Sequence, residues 1–256
     1  MTDARHKIAL VGNHLPRQCG IATFTTDLAD AIAAAAPELE SFVVAMNDDG
    51  HRHAYPSRVR FEIGEHDLGA YRRAADFLNV NDVGVLSVQH EYGIFGGKAG
   101  GHLMALLREL RMPIVTTLHT ILAAPSAVQR AVMDELISLS ERLVVMSEHG
   151  ARLLRDVHGV PDDKIDRIPH GVAPLRPHAG SKDRLGVAGR DVILTYGLLS
   201  PDKGIEHVID ALPAILARHP ETVYIVLGAT HPHVREHHGE TYRLMLEARA
   251  RRFGVD

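Results

Sequence analysis

Along the chain, short runs of apolar and β-branched residues alternate with longer stretches whose apolar positions recur every three or four residues. Lys7–Gly12 (KIALVG) reads as a strand, and Ile21–Ala36 as a helix with Ile21, Phe24, Leu28 and Ile32 on one face. Glu40–Met46 and Val59–Ile63 read as strands, parted by a polar loop, Asn47–Arg58, that carries Gly50 and Pro56. Asp67–Leu78 reads as a helix that Asp67 can cap, Val83–Gln89 as a buried strand, and Lys98–Leu110 as a helix halted before Pro113. The strand Ile114–Leu118, the helix Ser126–Leu139, the strand Leu143–Met146, the helix Glu148–Val157 with Gly159 at its end, and the strand Lys164–Ile168 follow.

The pattern then lapses. Ala173–Arg190 has no steady period and carries Pro174, Pro177, Gly180, Gly186 and Gly189, which marks a linker. Alternation resumes with the strand Asp191–Tyr196, the helix Ile205–Ala217, the strand Thr222–Leu227 and the helix Val234–Phe253. Short strands alternating with helices predict an α/β fold of parallel βαβ units, with right-handed crossovers that place helices on both sheet faces. Residues 1–172 suffice for a complete doubly wound domain of about seven strands, whereas 191–256 hold only two βα units. The expectation is one full domain, a linker at 173–190, and the first half of a second domain. Ile193, Leu194, Ile225 and Val226 are then expected to be poorly covered, with an open strand edge that favours self-association.

Composition narrows the class. The 256 residues are 45% apolar and 23% charged, which is globular and neither disordered nor fibrous. With 28 basic against 32 acidic residues, the net charge of −4 speaks against nucleic acid as a partner. The single cysteine, Cys19, cannot make an internal disulfide or a cysteine-rich zinc site. No apolar run reaches the ~18 residues of a membrane helix, and a strand-like segment begins at Lys7, leaving no room for a signal peptide. A cytoplasmic protein is expected.

The chemistry gathers after the strands. In open α/β sheets, ligands bind beyond the carboxyl ends of the strands, where the strand order reverses. Asn13, His14, Arg17 and Gly20 follow the first strand; His90, Glu91 and Tyr92, then Gly93, Gly96 and Gly97, follow VGVLSVQ. His119 and Thr120 follow IVTTL, Ser147 and Glu148 follow LVVM, and His170 and Gly171 follow KIDRIP. A strand order 3-2-1-4-5 would make the first and fourth strands neighbours, so that their polar loops flank the switch point. Four strand-end histidines, His14, His90, His119 and His170, are the candidate cluster, and His14, His90, Glu91 and His119 are expected to line one cleft. Their scattered origin lacks the spacing of a metal motif, and His231, His233, His237 and His238 read as a surface loop and helix start, so no metal is expected.

Neither a Walker A sequence nor G-x-G-x-x-G is present, which disfavours a P-loop nucleotidase and a standard dinucleotide site. Gly20 opens a helix after Arg17 and suits either an anion site or a small residue needed for packing. In Leu199-Ser-Pro-Asp-Lys-Gly204, Ser200 suits an N-cap, Pro201 the first helical position and Asp202 the helix dipole. Lys203 would be a cation misplaced in the first turn, forgoing roughly 0.3–1 kcal/mol. It is either a solvated lysine or the ligand of a phosphate.

PRQCGIATFTTDLADAI, QHEYGIFGGKAG, TTLHT, VVMSE, IPHGV and YGLLSPDKG, in this order and spacing, resemble bacterial retaining glycosyltransferases of family four, over residues 7–256. The resemblance implies the GT-B fold: a Rossmann-like acceptor-side domain facing a Rossmann-like donor-side domain, here with only its first two βα units. It implies a nucleotide-sugar donor, a carbohydrate or small-molecule acceptor, and no required metal or other cofactor. By the same resemblance, Gly20 is the loop glycine near the donor diphosphate, with Arg17 beside it. His119 stands near the transferred sugar, and Lys203 with Gly204 binds the diphosphate. His14, His90, Glu91, Tyr92 and His170 fall on the acceptor side, and His119, Lys203 and Glu91 are the catalytic candidates. Two departures stand out. Leu198 replaces the arginine of the family's G-R-L…K-G motif, and the family's pair of glutamates separated by seven residues belongs to a region beyond Asp256. A shortened enzyme with negligible transfer by itself is therefore expected, which a partner chain supplying the missing half would rescue. The alternatives are a non-catalytic nucleotide-sugar or protein-binding module, a sugar-nucleotide epimerase, and a metal-dependent hydrolase built on the histidines.

Overall fold

The computed structural model describes residues 7–48, 50, 53–172 and 180–256. Residues 173–179, with Pro174 and Pro177 of the expected linker, and the side chain of His233 lie outside the described part. The chain divides into two compact units, Met1–Ala173 and Pro174–Asp256.

In the first unit, β1 (Lys7–Gly12), α1 (Gly20–Ala35), β2 (Glu40–Asn47), β3 (Val59–Gly64), α2 (Leu68–Val80) and β4 (Val85–His90) come first. Then come α3 (Leu103–Leu107), β5 (Ile114–Leu118), α4 (Ala127–Leu139), β6 (Arg142–Val145), α5 (Glu148–His158) and β7 (Ile165–Arg167). The seven strands form one parallel sheet in the order β3-β2-β1-β4-β5-β6-β7. Strand order reverses between β1 and β4, whose register pairs Ile8 with Val85 and Val11 with Val88.

Period-two alternation sends neighbouring residues of a strand to opposite faces. Ala9 and Val11 of β1, with Phe42, Val44 and Met46 of β2, join the larger core with α2, α3 and α4. Leu10 of β1, with Val43 and Ala45 of β2, packs instead against Ala29, Leu28 and Ile32 of α1. Both faces are covered, as a parallel sheet requires. The helix starts follow from local chemistry. Asp67 accepts from the Ala70 N–H at 3.0 Å, Ser126 and Gln129 form a capping box, and Ser147 accepts from the Gly150 N–H at 3.0 Å.

Three expectations from the periodic pattern are corrected. Lys98–Leu110 is not one helix: a 3-10 turn at Lys98–Gly100 precedes the short α3. Gly97 and Gly100 hold φ values of +80° and +76°, left-handed backbone that a continuous helix excludes. Part of the expected linker is ordered as α6 (Ser181–Arg184). Val234–Phe253 is two helices, α8 (Pro232–His238) and α9 (Thr241–Phe253), because Gly239 at φ +60° closes the first.

The second unit adds β8 (Asp191–Tyr196), α7 (Ile205–Leu216) and β9 (Thr222–Leu227) to α6, α8 and α9. β8 and β9 pair in parallel from Asp191↔Thr222 to Tyr196↔Leu227. Leu199, Ile205 and Ile209 form a small core with Tyr242 and Leu246 of α9. Ile193 and Ile225 are half-buried while Leu194 and Val226 are exposed.

Candidate functional site

The site grows from the last residues of β4 and β5, which lie side by side with His90 paired to Leu118. β4 ends Ser87-Val-Gln-His90, so Ser87 and Gln89 share a face and the amide Nε2 of Gln89 donates to Ser87 Oγ at 3.1 Å. Gln89 Oε1 meets His119 Nε2 at 3.1 Å, and the His119 backbone N–H donates to the His90 carbonyl at 3.0 Å. Glu91 joins the two strand ends. One carboxylate oxygen accepts from the Tyr92 N–H at 2.9 Å, and the other accepts from the Thr120 hydroxyl.

α1 supplies an aromatic wall. Phe24 meets His119 edge-on at 4.7 Å between ring centres and His170, beyond β7, at 5.4 Å. Burial and then the nearby His170 hold the His119 imidazole down to about 4, so the ring is neutral near pH 7. At the start of α1, Cys19 is the N-cap: its Sγ accepts from the Ala22 N–H at 3.3 Å and from Asn13 Nδ2 at 3.1 Å. Gly20 is exposed, and a Cβ built on it would meet nothing within 4 Å. Packing therefore does not require a glycine there, and space is left open at the first turn.

Some expected residues are placed otherwise. His90 is fully buried, stacked on Phe95 and edge-on to Tyr92, with both ring nitrogens unpartnered. It does not line a cleft; burial and then His119 push its pKa down to about 3. His14 is 2% exposed, donates from Nδ1 to the Leu15 carbonyl at 2.6 Å and meets Tyr55 edge-on, so it too is closed off. The Arg17 guanidinium donates to Asn13 Oδ1 at 2.6 Å and the Met46 carbonyl at 3.1 Å, and pairs with Asp48. Rather than a free anion ligand, it is a tie between the ends of β1 and β2. Ser147 caps α5, and Glu148 pairs with Arg155 at 3.0 Å. Of the glycines after β4, Gly96 and Gly97 serve packing while Gly93 does not: a Cβ at Gly96 would overlap the Glu65 carbonyl, while its N–H donates to Tyr71 Oη at 3.0 Å.

In the second unit, Lys203 is not in the first turn of α7. It ends a separate 3-10 turn, Pro201–Lys203, and Gly204, at φ +60°, stands between that turn and Ile205. Lys203 thus precedes the N-cap of α7 instead of lying inside its first turn, and it still stands beside the positive end of that helix's dipole. Lys203 is exposed and next to the amino end of α7, whose N-cap Gly204 offers no side-chain bond. Among the described residues, no group of three or more His, Cys, Asp and Glu side chains is arranged to hold a metal ion. No helix is long and apolar enough to cross a membrane among them either.

Gln89 and Phe24 also belong to the site without a place in the strand-end pattern, and Thr120, which follows IVTTL, enters it as the partner of Glu91. The signal available for Gln89 was its place, with Ser87, as a polar pair two apart in a strand that is otherwise apolar.

Residues 19–176 match the model of glycosyltransferase family 4. The D-inositol 3-phosphate glycosyltransferase of Nocardia farcinica is 29% identical over 133 residues, covering 46% of this chain and 30% of the relative. The same-named protein of Acidothermus cellulolyticus is 32% identical over 125 residues, 43% of this chain and 28% of the relative. These matches thus span about a third of each curated relative's length. A glycosyltransferase from Rickettsia africae superimposes with a TM-score of 0.69 at 13% identity, covering 98% of this chain and 66% of that one. A UDP-forming α,α-trehalose-phosphate synthase from Burkholderia xenovorans gives 0.64 at 14% identity, with 98% and 70% covered. Both are similar in fold.

Proposed function

The chain belongs to glycosyltransferase family 4, and from that premise we propose that it transfers a sugar from a nucleotide-sugar donor to a polyhydroxylated acceptor, with retention of anomeric configuration. The observation that carries this reading is the convergence of His119, the Glu91–Thr120 pair, Phe24 and His170 at the carboxyl edge of the sheet. The bond between the anomeric carbon and the diphosphate oxygen breaks, and the acceptor oxygen forms its bond on the same face. The acceptor's proton passes to the leaving phosphate, so no strong protein base is needed. Negative charge grows on that phosphate, and preorganised donors that meet it lower the barrier.

In this reading the amino end of α7 at Gly204, with Lys203 before it, binds the donor diphosphate, and the open first turn of α1 at Gly20 is an anion-binding end of the first unit. The neutral His119 hydrogen-bonds the sugar. Glu91, with both oxygens engaged, positions the β4 and β5 loops and does not act as a base. Tyr92, His90 and His14 support the acceptor side from behind. No metal is assigned a step, and a nucleotide-sugar donor together with the lone thiol Cys19 suits the cytoplasm. The relatives' printed name makes an inositol phosphate the first acceptor to assay.

The test follows the anomeric signal by NMR when uridine, guanosine and adenosine diphosphate sugars are offered with inositol phosphates. Any product formed from an α-linked donor is expected to be α-linked; an inverted product would remove retention. Absence of both turnover and donor binding by calorimetry would remove the reading altogether.

Gly20→Ala and Lys203→Ala separate ligand from fold. The added methyl at Gly20 meets nothing and Lys203 is exposed, so both variants should keep their stability within about 0.5 kcal/mol. Binding of a nucleoside diphosphate should still weaken, and in a full-length version of the enzyme Lys203→Ala should slow transfer about a hundredfold. Unchanged nucleotide affinity in both would remove the phosphate roles.

A further inference from the structure

We propose that Gln89 is a positioning residue: its amide holds the His119 imidazole in the Nε2–H tautomer, leaving Nδ1 as the lone pair offered to a sugar hydroxyl. What fills the site rests on the function proposed above; the tautomer rests on the hydrogen bonds and burial of Gln89 and His119.

Gln89 is fully buried near the end of β4. Its amide nitrogen is committed to Ser87 Oγ at 3.1 Å, which turns the amide oxygen toward His119 Nε2, also at 3.1 Å. An amide oxygen can only accept, so the imidazole nitrogen facing it carries the proton. A neutral imidazole has one ring proton, and burial keeps His119 neutral near pH 7. Nδ1 is therefore bare. It has no hydrogen-bond partner among the described residues, and it is not sealed away as His14 Nε2 and both nitrogens of His90 are. A lone pair open to a ligand accepts from a hydroxyl and does not bind a phosphate oxygen.

The placement of Gln89 is built into the neighbouring strand. A Cβ on Gly12 of β1 would stand 2.9 Å from Gln89 Cβ and 3.3 Å from its Cγ. Glycine at position 12 makes room for the glutamine side chain. The His119 ring is fixed from its other side as well, by its backbone bond to the His90 carbonyl and by the Phe24 edge. This exceeds what packing alone needs, since an apolar residue at 89 would fill the same space without a partner requirement.

Long-range proton–nitrogen correlation spectra of the histidine-labelled protein at neutral pH read the tautomer directly. The His119 signals are those that vanish in His119→Gln. A protonated Nε2 and a bare Nδ1 are expected; a protonated Nδ1 or an averaged pair of tautomers overturns the inference. Gln89→Leu should convert His119 to an averaged pair, and persistence of the pure Nε2–H form overturns the role of Gln89. In Gln89→Glu, a carboxylate accepts the same bond and favours the imidazolium. The proton should stay on Nε2 and the His119 titration should move to higher pH; an unmoved titration counts against the proposal. The wild-type spectrum decides the tautomer even where Gln89→Leu does not fold. A correct tautomer in a protein that binds no nucleotide sugar would leave this inference standing and remove the proposed function.

Discussion

Acidification from pH 7 to pH 3 is expected to cost the protein about 4 kcal/mol through His90 alone. The folded-state pKa is held down to about 3 against an ordinary 6.5, chiefly by burial. Between these values the unfolded chain binds a proton that the folded chain refuses, so stability falls as pH falls through the window. The contribution is fully present above pH 6.5 and lost toward pH 3. His119 acts in the same direction with a smaller weight, since it is only half-buried. Paired carboxylates such as Asp166, whose pKa is lowered by Arg142, also lose stability on acidification. His90→Leu isolates the histidine. The variant should flatten the fall in urea-unfolding free energy between pH 6.5 and 3. It should also gain about 1–2 kcal/mol at pH 7, because two buried, unpartnered nitrogens are removed. An acid slope identical to that of the wild type would show that His90 is solvated in the folded protein. A stable variant that loses transfer would show that the buried imidazole is kept at a cost for the sake of function.

Gly96→Ala is expected to destabilise the protein by about 4 kcal/mol, at the upper end for a single added methyl. The new Cβ would overlap the carbonyl oxygen of Glu65 and lie 2.8 Å from its carbon and 2.7 Å from His102 Nδ1. Backbone cannot rotate aside as a side chain can. The chain at 96 is pinned besides, by the bond from its N–H to Tyr71 Oη and by that hydroxyl's bond to the Glu65 carbonyl at 2.9 Å. Relief would require moving the loop that carries Tyr92 and Phe95, and with them the support of His90. A denaturation midpoint shows the effect, with Gly159→Ala as the comparison. Gly159 also has left-handed backbone, φ +67°, but a methyl there meets nothing, so only about 1 kcal/mol is expected. Equal losses in the two variants would mean that the close approach at Gly96 is not maintained in solution.

The βαβ alternation is legible in the order of residues, because each element's apolar period reports which of its faces is buried. It thereby placed His14, His90, His119 and His170 at or just past strand ends. Sequence resemblance also marked the family, through motifs whose order does not depend on contacts. How those residues are used depends on contacts between elements. His90 ends β4 and His119 follows the adjacent β5, yet one is sealed against Phe95 while the other keeps an open nitrogen. Arg17 could have met an anion, but Asn13, Asp48 and the Met46 carbonyl reach it first. Lys203 looked misplaced in a helix until Gly204 proved to separate it from α7. In each case the periodic signal runs along one element, whereas the partner comes from another element brought near by the fold. Periodicity therefore fixes which side faces inward, and close packing between elements fixes what each polar atom meets there.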